Sequence, residues 1–324
     1  MNLRQLMRKP FVTTHYAQAT ELTEKHAIVT GCGLGSLGFE TAKTLARWGA
    51  VVIVTTRSDT AAVTRALKEE LAKENISARV DGHELDLSDA GSVSRFSQWY
   101  QQHYGQRLDI LINNAGIHLD LMSKWKEPKL TSDGYEMQWR TNYLGSAQLT
   151  HNLLPLLQKT GNNYGEARIV NVVSQLYSRG NNVALFDPDT AYNSWKFYGL
   201  SKLALIHFTY ELNRRFSKKD KLKSYCLHPG SASGTYTNVA NKGFEGSPII
   251  AFLRKLGAPI EKLFMSTVEE GIQTQIYCAT ATDAQGGHYY QNCQIRETTA
   301  ETQDEKAAGR LWQETQDWVN NLPV

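Results

Sequence analysis

Cysteine is scarce in this chain: Cys32, Cys226, Cys278 and Cys293 are the only four in 324 residues. They are scattered, and no two stand in C-x-x-C spacing. This excludes a zinc site or a disulfide framework and fits reduced thiols in a cytosolic protein. An excess of one charge is also missing, since 35 Lys and Arg face 32 Asp and Glu for a net charge of +3. Without a dense basic stripe, nucleic-acid binding has no compositional support. No apolar run approaches the ~20 residues needed to cross a bilayer. Met1–Ala19 mixes Arg, Lys, His and Pro with apolar residues and lacks a signal-peptide core. The expected location is therefore the cytoplasm. Residues 1–24 read as an N-terminal extension, whose alternative use is a homo-oligomer or peripheral membrane contact. Internal repeats, low-complexity tracts and linkers are missing too, so residues 25–324 are expected to form a single domain.

What is present is ordinary for a soluble globular protein: 41% hydrophobic and 21% charged residues. Short β-rich apolar runs alternate with helical patterns. Strands are predicted at His26–Thr30, Val51–Thr55, Ala78–Leu85, Leu108–Ile112, Ala167–Val173 and Leu222–Leu227. Helices are predicted at Ser36–Trp48, Thr60–Glu74, Gly91–Tyr104, Gly134–Leu157 and Ser194–Phe216. Regular alternation of this kind means βαβ units, hence an α/β, Rossmann-type doubly wound, mainly parallel sheet with helices on both faces. After His228-Pro-Gly the rhythm changes. A helix is predicted at Thr267–Ala281, a short strand at His288–Tyr290 and an amphipathic terminal helix at Asp304–Asn320. The apolar stripe Pro248–Phe264 reads as a packed helix or as part of a substrate lid at about 235–266.

The turn Thr30-Gly-Cys-Gly-Leu-Gly-Ser-Leu-Gly38 joins the first strand to the first helix. Glycines there let backbone approach a pyrophosphate, and the helix N-terminus adds amides and a favourable dipole. Gly31, Gly33, Gly35 and Leu37 are the candidate contacts. The second strand ends Thr55-Thr56-Arg57-Ser58, with no carboxylate until Asp59. An acidic residue would select the free ribose hydroxyl of NAD, whereas arginine accommodates the phosphate of NADP. Arg57 therefore favours NADP(H), with NAD(H) as the second choice.

Two tyrosine–lysine pairs stand at helical i, i+4 spacing: Tyr192 with Lys196 and Tyr198 with Lys202. Side chains four apart project from one helix face. A phenol titrates near pH ~10, and a neighbouring cation lowers that value and makes it a serviceable acid/base. Tyr198 is followed by Leu203, Leu205, Ile206 and Phe208, as expected of a buried helix. Tyr192 lies near Pro188 in the approaching loop. Tyr198 is the preferred candidate.

The glycine turn, Asp86-Leu87, Asn113-Asn-Ala-Gly116, Asn142, Ser174, Tyr198-x-x-Ser201-Lys202 and Pro229-Gly230 occur in the order found in short-chain dehydrogenases/reductases. The chain resembles that family from about His26 to Ala281. Gly287–Cys293 with Leu311-Trp312, and the long Ser174-to-Tyr198 interval, resemble its retinol-dehydrogenase-like subgroup. The glycine turn departs from the family pattern by carrying two residues between Gly35 and Gly38.

The resemblance implies an oxidoreductase in which Tyr198 is the acid/base. Lys202 would lower the Tyr198 pKa and hydrogen-bond the nicotinamide ribose. Ser174 would hold the substrate oxygen, and Asn142 would support a water linking Lys202 to solvent. Asp86 and Leu87 would lie beside the adenine. Asn114, Ala115 and Gly116 would pack near the cofactor, and Pro229 and Gly230 would border the nicotinamide. No metal is called for, and His118, His207 and His228 are left to packing or surface hydrogen bonds. The Leu, Phe, Tyr, Trp and Ile content of Gln175–Lys196 and Pro248–Phe264 suggests a lipophilic small-molecule carbonyl or alcohol. The alternative is a catalytically silent dinucleotide-binding sensor or scaffold, which has no need of the full set of Ser174, Tyr198, Lys202 and Asn142.

Overall fold

The structure, a computed structural model, describes residues 15–122, 124–187, 191–230 and 267–322. Eight strands form one sheet in the order β3-β2-β1-β4-β5-β6-β7-β8. These are β1 His26–Thr30, β2 Val51–Thr56, β3 Val80–Glu84, β4 Ile110–Asn113, β5 Ala167–Val172, β6 Leu222–His228, β7 Tyr289–Gln291 and β8 Gln294–Ile295. Neighbours pair in parallel except β7 with β8. The central strands are covered on both faces, and so β2, β4 and β5 are buried along their whole length. Alternate residues of β1 feed opposite cores. Ile28 packs with Phe96, Leu149 and Leu205, while Ala27 and Val29 pack with Leu45, Leu67 and Ile276.

Helices α1 Leu37–Arg47, α2 Thr60–Lys73, α3 Ala90–Tyr104, α4 Gly145–Tyr164, α5 Asn182–Phe186, α6 Ser194–Phe216, α7 Val268–Gly271, α8 Gln273–Thr280 and α9 Glu305–Asn320 complete the layers. Their starts are chemically marked. Ser36 accepts from Phe39 N, Asn193 from Lys196 N and Asp304 from Ala307 N, each satisfying a free amide of a first helical turn. α9 seals the outer face of α6, with Trp312 stacked on Phe208 at 5.4 Å between ring centres. Burying such a ring stabilises by roughly 1.5–3 kcal/mol.

Most predicted elements form within a residue or two of their expected bounds, and the exceptions have local causes. The helix expected over Gly134–Leu157 is broken into Met137–Trp139, a π-helical turn Arg140–Leu144 and then α4. β4 starts late because Leu108 N donates to Thr160 Oγ1 instead of joining the ladder. β8 was not expected. It forms because Asn292 and Cys293 both adopt positive φ, 53° and 58°, as a two-residue hairpin turn requires. The interval Gln175–Lys196, read as loop, contains a 3-10 turn at Gln175–Arg179 and α5. The helix expected at Thr267–Ala281 is split between α7 and α8. Of the N-terminal extension, the described part is tied down by His15 N to Asn292, Ala17 N to Gln273 and Leu22 N to Trp48 O. The expected lid at about 235–266 lies outside the described residues.

Candidate active site

A crevice of about 600 Å³ opens at the carboxyl ends of the central strands. It lies where strand order reverses between β1 and β4, the switch point at which doubly wound folds bind ligands. Its volume is within the ~300–1,000 Å³ of small-molecule and cofactor sites. At its floor, Gly31 has φ +72°, and a Cβ there would stand 2.9 Å from Ala115 Cα. A Cβ on Gly38 would stand 2.6 Å from both Gly31 O and Asn114 Nδ2. These two glycines permit close packing of the turn on β4 and α1. Gly33 instead faces open space and lines the crevice with Leu37, the first residue of α1. Gly35, φ +69°, also faces open space but does not line the crevice. The open cradle at Gly33 before the α1 N-terminus fits a pyrophosphate.

Thr30 fastens the cradle to β4. Its Oγ1 accepts from Asn114 N and Ala115 N at 3.0 Å each, and Asn114 Nδ2 donates to Thr30 O at 2.8 Å. Arg57 lines the mouth, exposed and with no ion-pair partner among the described residues. Leu85 and Leu87 form the wall expected of Asp86 and Leu87. Asp86 itself does not line the crevice, and its Oδ1 accepts from Ser88 N and Oγ, at 2.8 and 2.6 Å, in its own turn. Pro229 lines the crevice, and Gly230 leaves it with φ +77°.

At the chemical end, α6 brings Tyr198 and Lys202 into the crevice. The Ser174 hydroxyl adjoins the Tyr198 phenol and draws its pKa down. Ser174 also caps its 3-10 turn by accepting from Leu176 N at 3.3 Å. Lys202, 3% exposed, donates to Val172 O at 3.0 Å, and its Nζ is 5.7 Å from the Tyr198 ring centre. Burial lowers the Lys202 pKa to about 8. The Tyr198 phenol departs from expectation. Burial raises it above its ordinary value, and the influence drawing it down is the Ser174 hydroxyl rather than Lys202.

Asn142 lies in the π turn with its side chain committed. Its Oδ1 accepts from Ile117 N at 2.7 Å, and its Nδ2 donates to Ile117 O at 2.9 Å and to Ser201 Oγ at 3.1 Å. Gly116 is wedged beside it. The rival Tyr192 is held outside the crevice, donating to the Glu136 carboxylate at 3.2 Å. His207 pairs with Asn182 at 2.8 Å. His118, by contrast, stacks on Tyr198 and lines the crevice, which no local pattern signalled. Thr30, Thr141 and Ile117 are further lining residues that sequence reasoning passed over. Among the described residues, no group of three His, Cys, Asp or Glu is placed to hold a metal ion.

The parallel doubly wound sheet, with a glycine turn at its switch point and Tyr198 and Lys202 lining the same crevice, defines a Rossmann-type α/β protein. The family model described as short chain dehydrogenase matches residues 25–243, and the chain belongs to that family. Retinol dehydrogenase 14 of Mus musculus is 36% identical over 303 residues, covering 89% of this chain and 84% of that protein. A solved structure of an uncharacterised protein from Mycobacterium paratuberculosis is 29% identical, with a TM-score of 0.67 over 96% of this chain and 100% of the other. A short chain dehydrogenase from Escherichia coli CFT073, solved with NADPH, shares the fold at 20% identity. Its TM-score is 0.61 over 85% of this chain and 99% of that one.

Proposed function

We propose that this protein is an NADP(H)-dependent oxidoreductase acting on a lipophilic carbonyl or alcohol, with Tyr198 as the acid/base. The observation that carries the reading is Tyr198 beside a buried Lys202, with the Ser174 hydroxyl adjoining the phenol, at the end of a crevice that begins in a glycine cradle. A dinucleotide bound in that crevice supplies or accepts the hydride. In reduction, Tyr198 gives its hydroxyl proton to the substrate oxygen as that oxygen gains negative charge. Ser174 holds the same oxygen at hydrogen-bond distance. Held above its ordinary pKa by burial, the phenol is protonated at neutral pH and suited to the donor role. Lys202 places a cation beside the reacting oxygens, and Asn142 keeps the Ile117 backbone fixed next to it.

Arg57, exposed just after β2 and with no carboxylate paired to it among the described residues, supports the NADP(H) preference through its fit to a 2′-phosphate. The name of the mouse relative supports a lipophilic substrate. The test is a panel of aliphatic and aromatic aldehydes, all-trans-retinal and the matching alcohols, followed at the reduced-nicotinamide absorbance band with each cofactor. Tyr198→Phe is expected to cut turnover by about 100-fold or more while retaining cofactor binding. Wild-type turnover in Tyr198→Phe, with loss in Tyr192→Phe, would transfer the role to Tyr192.

A further inference from the structure

We propose that His118 is a positioning residue for Tyr198: its neutral imidazole is a fixed aromatic plate that sets the plane of the phenol ring. This rests on the reading of Tyr198 as the acid/base. The imidazole lies nearly parallel to the Tyr198 ring, 12° between planes and 4.2 Å between centres. Trp195 closes on its edge at 4.5 Å and 84°, and the Arg179 guanidinium sits over the Trp195 ring at 5.0 Å. A guanidinium, an indole, an imidazole and the reacting phenol thus follow one another in contact.

The plate is anchored through its own backbone. Ile117 before it is held from both sides by Asn142, and Leu119 after it donates from N to Gln138 Oε1 at 2.9 Å. Asp120 O accepts from Ser194 Oγ at 2.7 Å, and Leu121 O accepts from Trp195 Nε1 at 3.3 Å. Ser194 and Trp195 open the helix that carries Tyr198. The segment bearing the plate and the helix bearing the phenol are therefore riveted together at the two points nearest the stack.

The surroundings keep the ring uncharged. His118 is 5% exposed, and its Nε2 is buried with no hydrogen-bond partner among the described residues. The charged groups facing it are the cations Arg179 and Lys202 and, on its own segment, Asp120. Burial first, then the two cations, push its pKa down to about 4 against the raising influence of Asp120. A histidine so placed neither donates nor accepts a proton in the neutral range. What it offers is a flat, polarisable face at van der Waals distance. A tyrosine ring has little torsional preference of its own about its terminal bond. The plate supplies that preference: the phenol oxygen lies on the axis of that bond and does not move with it, but a phenolic O–H prefers the ring plane, so fixing the plane fixes the direction in which the hydroxyl proton points.

The test uses His118→Phe, which keeps a flat ring, and His118→Leu, which fills the volume without one. Both replacements are apolar and suit a buried site at which the imidazole Nε2 has no hydrogen-bond partner among the described residues. Turnover is measured with NADPH on the carbonyl that the wild type reduces fastest from the panel above, with Tyr198→Phe as the reference. His118→Phe is expected to stay within about threefold of wild type in kcat, with the same pH profile. His118→Leu is expected to lose ~10- to 100-fold in kcat, the scale of a small misplacement of a reacting group, with KM changed by less than about threefold. Equal kcat in the Leu variant and wild type would overturn the proposal. So would loss of one limb of the pH profile in the Phe variant, since that would make His118 a titrating participant. If Tyr198→Phe itself turns over normally, or no panel carbonyl is reduced by the wild type, the reading of Tyr198 falls and takes this proposal with it.

Discussion

A Cβ placed on Gly116 would stand 3.2 Å from Nζ of Lys202. The same Cβ would lie 3.4 Å from Asn142 Oδ1, so a single missing methyl group leaves the room in which the buried amine meets the crevice. The φ of Gly116 is not positive, and any L-residue could adopt its backbone.

Gly116→Ala is accordingly expected to fold but to move the ammonium. Turnover should fall ~10-fold or more through misplacement, while circular dichroism stays that of the wild type. Unchanged kcat would show that the Lys202 position tolerates the methyl group.

Lys202 should cost the ligand-free protein stability at neutral pH. Its folded-state pKa, about 8, lies below the ordinary lysine value of 10.5. The unfolded chain therefore binds more protons between these two values, and stability rises with pH across that window. Below about pH 8 both states are protonated and the penalty is fully present, on the order of 3 kcal/mol. Lys202→Met is expected to raise Tm at pH 7, with the gain shrinking between pH 8 and 10.5, while turnover is lost. A constant Tm difference across that range would contradict the burial argument.

Gly33 and Gly38 should respond oppositely to alanine. Gly33→Ala meets open space, so stability should hold while dinucleotide affinity drops as the methyl group enters the phosphate cradle. Gly38→Ala drives a Cβ into Gly31 O and Asn114 Nδ2, an overpacking worth ~1–3 kcal/mol. Thermal denaturation and fluorescence titration with NADPH separate the two.

Arg57→Ala should weaken NADPH about tenfold, in the range of a charge-assisted phosphate contact, and leave NADH nearly unchanged. Comparable dissociation constants for both cofactors, unaffected by the substitution, would remove Arg57 from cofactor selection.

Arg140 is fully buried among Asp133 at 2.8 Å, Leu87 O at 2.8 Å and Gln148 at 3.2 Å. Arg140→Met leaves the Leu87 carbonyl without its donor and strands the pair. A loss of ~3 kcal/mol is expected, read as a lower denaturation midpoint with an unchanged slope.

Much of the site was legible before folding because its parts are local. The glycine turn sits between a strand and a helix that are adjacent in the chain, and Tyr198 and Lys202 share one helix face through spacing alone. The preference for Tyr198 over Tyr192 also rested on local pattern, since only Tyr198 begins a continuous apolar helix. The π turn at Arg140–Leu144 left no comparable mark. Its residues satisfy ordinary helical periodicity, and the distortion follows from Asn142 reaching Ile117, a contact 25 residues away. The side-chain direction of Asp86 was hidden for a related reason. Its place after β3 was read correctly, but whether a carboxylate faces a crevice or its own Ser88 depends on side-chain direction, which position does not determine.

The sequence by itself determined the alternation of elements, the parallel sheet, the phosphate turn and the tyrosine–lysine pair, because each is written in periodicity or spacing over a few residues. Tertiary structure alone decided that burial, more than Lys202, governs the Tyr198 phenol and that Gly116 shapes the lysine's space. It also decided that His118, a residue assigned to packing, lies flat against the reacting ring. These are encounters between segments about 80 residues apart. They arise only when the sheet order β1-β4-β5-β6 brings the end of β4 beside α6, and no local pattern encodes which side chains then meet.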